Sequence, residues 1–354
     1  MSLPKTISTE FHSGGHIQGI ALDREHGWLY CSFTTELVKY DLAGKLLGSV
    51  TGLTGHLGCL AMGPDGRVYG SLEYKNDAIG RGILARTGAR HAGDAFYAAI
   101  FDGTKIDRMN MDAAGDGVMS TVFLRAVVED YSYEIEQPGG GTLRHRFGCS
   151  GIDGMTFAPL PGDRDGKTML CVAAGSYGDI TRSDNDYQVI LVYDIDGWDE
   201  LARPLDQANI HESGPDAPTG KYFVYTGNTT YGVQNLEYDP ETGRMHMAVY
   251  RGKKPIFPNN TMYIADWNAA PKHQRLAGFG DGTQGDVVPL LQAGLLHADS
   301  GVYGWEFPYG STGMICLGGG AWYFSVPRKS EAGFGSDVTL YRWTGATPDG
   351  WSTC

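Results

Sequence analysis

The chain has 354 residues, 42% of them hydrophobic and 19% charged, a globular composition long enough for one large domain or two ordinary ones. A net charge of −13 with no basic cluster excludes a phosphate-binding face. Arg251-Gly252-Lys253-Lys254 is too short to reverse that, so neither nucleic acid nor an anionic membrane surface is expected as a partner, and no run of about 18 apolar residues predicts a spanning helix.

Glycine is unusually abundant at 52 residues, beside 20 Tyr and 13 Phe, which points to many short strands and tight turns. Met1-Ser2-Leu3-Pro4 lacks the layout of a signal peptide, so a cytoplasmic location is expected, with a trimmed natural leader left open. Of the six cysteines, Cys31, Cys59, Cys171 and Cys316 sit inside apolar runs, Cys149 and Cys354 outside them, and no C-x-x-C occurs. Reduced, buried thiols are expected rather than a disulfide framework or a thiolate metal site.

Thr6–Phe11 has strand character. Ile17–Leu22, Trp28–Phe33, Glu36–Asp41 and Lys45–Val50 then form four short strands bounded by turn residues. The clearest hairpin follows. His56–Met62 reaches Gly63-Pro64-Asp65-Gly66, in which Pro sets φ and Gly accepts positive φ, and Val68–Leu72 returns into Glu73-Tyr74-Lys75-Asn76-Asp77. Antiparallel pairing puts His56 and Glu73 at one end. Residues 78–95 lack alternation and predict a helical or irregular excursion over that end; strands are expected at Phe96–Asp102 and near Val118–Val128.

The hairpin recurs at Gly151–Phe157 with Thr168–Ala174 (third strand Tyr187–Ile195), and at Gly232–Tyr238 with Arg244–Tyr250 (third strand Met262–Trp267). It recurs last at Gly301–Phe307, turning at Gly310–Gly313 into Met314–Gly318, with Val338–Trp343 as third strand. The predicted fold is all-β: a single β-propeller over residues 1–354, with five blades of four antiparallel strands at 12–55, 56–130, 150–225, 230–285 and 300–345. Residues 5–11 close the last blade, removing an exposed edge. Six blades is the alternative, because the long gap before residue 150 has room for another.

The repeated hairpin resembles the β-propeller superfamily, loosely its metal-centred five-bladed nucleotidases and six-bladed lactonases. The resemblance implies a channel lined by the first strand of each blade, with a divalent ion in it. His16 and Gln18 stand where lactonases usually place an acidic ligand, so their mechanism does not carry over.

Strand-one starts and strand-two ends then converge on one face. The candidate metal ligands are His16, His56, Glu73 and Asp153, suiting zinc, calcium or magnesium. A metal-free reading makes Glu73 or Asp153 a general base with Lys75 or Arg251 steadying an anion. Candidate ligand-binding residues are Gln18, Asn76, Arg146, Tyr177, Gln234, Arg251 and Tyr303. The leading functional expectation is a small-molecule enzyme, a hydrolase of the lactone, phosphoester or glycoside class, working in a polar funnel with or without a metal. The alternative is a non-catalytic ligand-, sugar- or protein-binding propeller, and a channel simply filled with water is the plain structural reading.

No G-x-S-x-G elbow, P-loop or Rossmann fingerprint is present. Gly139-Gly140-Gly141 and Gly318-Gly319-Gly320 read as turns, and Tyr177–Asp186 as a surface turn lacking the EF-hand order. Arg144–Gly154 reads either as an anion-contacting loop carrying His145 and Arg146 or as a solvated connection, with Cys149 a reactive thiol only if those neighbours lower its pKa.

Overall fold

A computed structural model describes residues 3–136, 140–280 and 282–354. Five antiparallel sheets stand around an axis as propeller blades. Blade 1 is Ile17–Asp23, Trp28–Phe33, Glu36–Asp41 and Leu46–Thr51, with Met111–Asp112 added in parallel at its outer edge. Blade 2 is His56–Met62, Val68–Tyr74, Ala95–Phe101 and Met119–Phe123. The expected strand near Val118–Val128 ends early, because the chain turns at Leu124 into helix α2 (Arg125–Ser132). The room for a sixth blade holds α2 and the small hairpin Glu134–Glu136 with Thr142–Arg144.

Blade 3 is Cys149–Ala158, Met169–Ser176, Tyr187–Tyr193 and Gly220–Tyr225. Gln284–Val287 joins its outer edge in parallel, so the expected span 230–285 for blade 4 runs into blade 3's sheet. Blade 4 keeps three strands, Thr230–Asp239, Arg244–Tyr250 and Met262–Asp266. Its fourth place is taken by single bridges from Trp305 to Met262 and from Leu290 to Ala265.

Blade 5 departs most from expectation. Val302–Gly304 pairs with Leu295–His297 outside the blade, and Trp305 exchanges backbone hydrogen bonds with Met262. The innermost strand is instead Met314–Gly318, which turns through Gly318-Gly319-Gly320, all with positive φ, into Ala321–Ser330 and then Gly333–Trp343. Gly313, expected in the hairpin turn, therefore lies just before the first strand. That triple glycine is a turn as expected. Gly140 and Gly141 also have positive φ between the paired residues of the small hairpin, while Gly139, like Met1 and Ser2, lies outside the described residues.

The ring closes through the N-terminus. Thr6–Ser8 pairs with Asp337–Thr339, and Trp351–Thr353 pairs with Tyr341–Trp343 on the same edge, so opposite chain ends share the outer strand of blade 5. Ile7 is 1% exposed, pairs with Val338 and belongs to the same buried cluster as Tyr323 and Val38. Ile7→Asp puts an unpaired charge there and is expected to cost about 3 kcal/mol or more, read as a lowered denaturation midpoint; an unchanged midpoint would mean the closure is dispensable.

Each blade packs between two others, so middle strands such as Val68–Tyr74 and Tyr187–Tyr193 are buried throughout. Alternation is clean only where one sheet face meets water. Near the axis the blades meet backbone to backbone: a Cβ on Gly19 would lie 2.7 Å from the Leu60 nitrogen. That contact is open only to glycine. Among the described residues no helix is long and apolar enough to cross a membrane.

Candidate functional site

Four innermost strands carry irregularities near their beginnings. Pairing shifts register between Ile17 and Gly19, Leu57 and Leu60, Cys149 and Met155, and Thr230 and Asn235. A bulge breaks the strict up-down alternation of a strand and re-aims side chains, and here that occurs where the strands enter the axis. Gln18, Asp153 and Gln234 thereby face one cavity of about 510 Å³ at this upper end, together with His16, His56, Glu73 and Lys75. Seven predicted residues therefore meet.

The Glu73–Lys75 pair forms the floor. Glu73 lies near the end of its strand and Lys75 just beyond it, and Lys75 Nζ lies 2.5 Å from Glu73 Oε1 with the side chains 5% and 2% exposed. Lys75 also donates to the Ser150 carbonyl at 2.7 Å and stands 3.6 Å from Asp77 Oδ2. The other Glu73 oxygen accepts from the Ile152 N–H at 3.1 Å. Gly151 makes room for it: with φ +125°, a Cβ there would come within 2.1 Å of Glu73 Oε2.

His56, directly opposite Glu73 in the hairpin as expected, bridges the two carboxyls. Its Nδ1 is 3.4 Å from Glu73 Oε1 and 3.9 Å from Asp153 Oδ1, ion-pair distances without an aligned hydrogen bond. Gly58 leaves the space Asp153 fills, since a Cβ there would sit 2.3 Å from its Oδ1.

These environments separate the carboxyls. Burial raises Asp153, the Glu73 charge adds to it, and His56, Lys75 and Gln234 only partly offset them, leaving Asp153 pushed up to about 7. Burial acts on Glu73 too, but Lys75 and His56 outweigh it and hold Glu73 below the usual carboxylate range. Burial alone would lower His56, yet Glu73 and Asp153 raise it above its ordinary value.

At the rim, Gln18 Nε2 contacts His16 Nε2 at 3.0 Å and Thr34 Oγ1 at 3.1 Å. Burial of the inner edge of His16, with the charges of His56 and Arg86, lowers its pKa. The excursion after blade 2 is helix α1 (Ala78–Thr87), capped by Asp77, which accepts from the Gly80 N–H at 2.9 Å, and ended at Gly88 with φ 70°. Its residues Ile79, Gly82, Ile83 and Arg86 line the cavity, as do Tyr231, Tyr250 and Phe334. Those seven were not expected. The helical spacing 79, 82, 83, 86 was a readable signal, whereas Tyr231 is aimed by a left-handed backbone (φ 66°) and Phe334 by the long blade 5 hairpin.

Five expected ligand-binding residues lie elsewhere. Asn76 is exposed, its N–H donating to Asp94 and its carbonyl accepting from Arg81. Arg146 is exposed over the rings of Tyr133 and Phe147, beside a separate cavity that it lines with Arg182. Tyr177 stands behind the floor, its hydroxyl donating to Asp77 at 3.2 Å. Arg251 pairs with Glu306 at the surface, and Tyr303 leaves the axis with its misplaced strand. Of the run Arg144–Gly154, His145 is held to the Tyr131 carbonyl and Cys149 is buried with its thiol pushed up to about 12, so it is no reactive thiolate.

The expected metal ligands do not form a ligand set. Among the described residues no group of three or more His, Cys, Asp or Glu side chains is placed to hold a metal ion. The cation beside Glu73 is the Lys75 ammonium, and His16 is occupied with Gln18 at the rim. The lower mouth holds a second cavity of about 380 Å³, where Glu237 accepts from Cys316 N–H at 2.8 Å and Thr156 Oγ1 at 3.3 Å and so ties blades 3, 4 and 5 together.

No protein-family model matches the chain, and no curated protein matches its sequence. Solved structures of propeller type are similar at low identity. A glucose dehydrogenase is 13% identical with a TM-score of 0.39, covering 95% of this chain and 99% of its own. A proposed gluconolactonase is 15% identical with a TM-score of 0.33, covering 93% of this chain and 76% of its own. The Dos1 propeller is 10% identical with a TM-score of 0.35, covering 95% of this chain, which spans 57% of that one.

Proposed function

We propose that the upper cavity is the active site of a small-molecule hydrolase working by general acid–base catalysis. One observation carries this reading: two carboxyls on either side of His56, at the floor of one cavity, are driven apart in pKa by their surroundings. Such a split assigns roles. Asp153 exchanges a proton near neutrality, taking one from an attacking water. Glu73, kept ionised by Lys75, holds His56 in its charged form, which faces a developing negative charge.

The floor favours an ester or lactone over a phosphoester, because a phosphate there would meet Glu73 and Asp153 while Lys75 is already paired. The test is a turnover panel of lactones, aryl esters, phosphomonoesters and aryl glycosides. Hydrolysis of the esters or lactones is expected, with kcat/KM rising toward neutral pH as Asp153 ionises. Binding without turnover of any class would make this a binding propeller instead.

A further inference from the structure

Among the described residues helix α1 is the one helix that lines the cavity, and it presents a single face there. Ile79, Gly82, Ile83 and Arg86 follow the i, i+3, i+4, i+7 spacing of one helical stripe, and all four line the space above the Glu73–Asp153 floor. The stripe is graded. Ile79 and Ile83 make an apolar roof, Gly82 leaves a gap in which an added Cβ would meet nothing within 4 Å, and Arg86 stands at the far end.

Arg86 has no carboxylate partner among the described residues, although the other arginine of this helix, Arg81, is tied to the Asn76 carbonyl. It lines the same cavity as His16 of the rim. At the floor Lys75 and His56 stand against Glu73 and Asp153, so among the described residues the cation left to meet a ligand's charge is the Arg86 guanidinium at the rim.

We propose that the ligand of this cavity is a small anion, an apolar body bearing a carboxylate, whose charged end pairs with Arg86 while its body lies under Ile79 and Ile83 in the gap at Gly82. This rests on the upper cavity being the binding site, but not on its being catalytic. A guanidinium receives a carboxylate through two parallel N–H donors, so both charge and shape are selected. A phosphate in place of the carboxylate would use the same donors, and the probes below separate the two.

The experiment is equilibrium binding to the purified full chain, using phenylacetate, its neutral amide and phenyl phosphate as probes, with R86Q, R86K and G82L. Phenylacetate is expected to bind roughly tenfold more tightly than the amide. R86Q should collapse that ratio to near one while leaving amide binding unchanged, and R86K should restore part of it. G82L, which fills open space without a clash, should remove binding of both, with melting unchanged. Equal binding of acid and amide, a preference surviving R86Q, no binding of any probe at millimolar concentration, or phenyl phosphate binding more tightly than phenylacetate would overturn the proposal. Because the readout is binding, a carboxylate preference without turnover removes the hydrolase reading and leaves this one standing. Turnover of neutral and anionic esters at equal rates does the reverse.

Discussion

Lys75→Met is expected to destabilise the protein by about 3–5 kcal/mol, with a matching fall in denaturation midpoint. The side chain is nearly isosteric and its site is buried, so the loss is not one of packing. What remains after substitution is Glu73, 2% exposed, with its nearer counter-charge gone and only His56 between it and the carboxyl of Asp153. The Ser150 carbonyl loses its donor as well, and Asp77 loses the ammonium 3.6 Å away. The compensated double variant Glu73→Gln/Lys75→Met should recover most of the stability, since it removes both charges together. If the single variant melts like the parent, the pair is not buried as described. Glu73 belongs to the floor of the cavity and to the stability of the fold at once.

Asp153→Asn is expected to lower turnover by roughly 10²–10⁴-fold, the usual worth of a positioned acid–base group, while raising stability in alkaline solution. The sign follows from the raised pKa. A carboxyl at about 7 in the folded state and near 4 when unfolded binds its proton more tightly when folded. Its contribution is fully favourable below about pH 4 and is lost as pH rises through about 7. Asn carries no such charge, so the variant's melting temperature should exceed the parent's at pH 8 by a few degrees, with the gap narrowing as pH falls toward about 4. Glu73 has the opposite sign, its depressed pKa giving stability that is present above the ordinary carboxylate range and lost in acid. A parent curve flat between pH 5 and 8, with turnover retained in Asp153→Asn, would remove Asp153 from the mechanism.

The hairpin grammar was legible because turn chemistry is local. Pro64-Asp65-Gly66 between alternating runs makes a hairpin whatever surrounds it, and the pairing of His56 with Glu73 follows from that turn. The same locality misled at blade 5. Gly301–Phe307 followed by Gly310–Gly313 has the same local pattern, but which edge a strand joins depends on a distant partner. Met262 takes Trp305 by two backbone hydrogen bonds, leaving the triple glycine at 318–320 to make the true turn.

By itself the sequence determined an all-β chain, the hairpins that open its first four blades, a closing N-terminal strand, and one polar end holding His56, Glu73 and Asp153, since alternation and turn residues act over a few positions. The tertiary structure alone decided what that end can do. The bulges that turn Gln18, Asp153 and Gln234 inward arise where the innermost strands crowd at the axis, and crowding is a property of the ring. Lys75 became the counter-ion of Glu73, rather than a free anion ligand, because both were buried together. Arg146, Tyr177, Arg251 and Tyr303 fell outside the cavity, and the Ile79–Arg86 stripe came over it, because blade packing sets where each loop leaves the surface. Charges separated along the chain acquire their pKa values and partners only when folding fixes the distances between them.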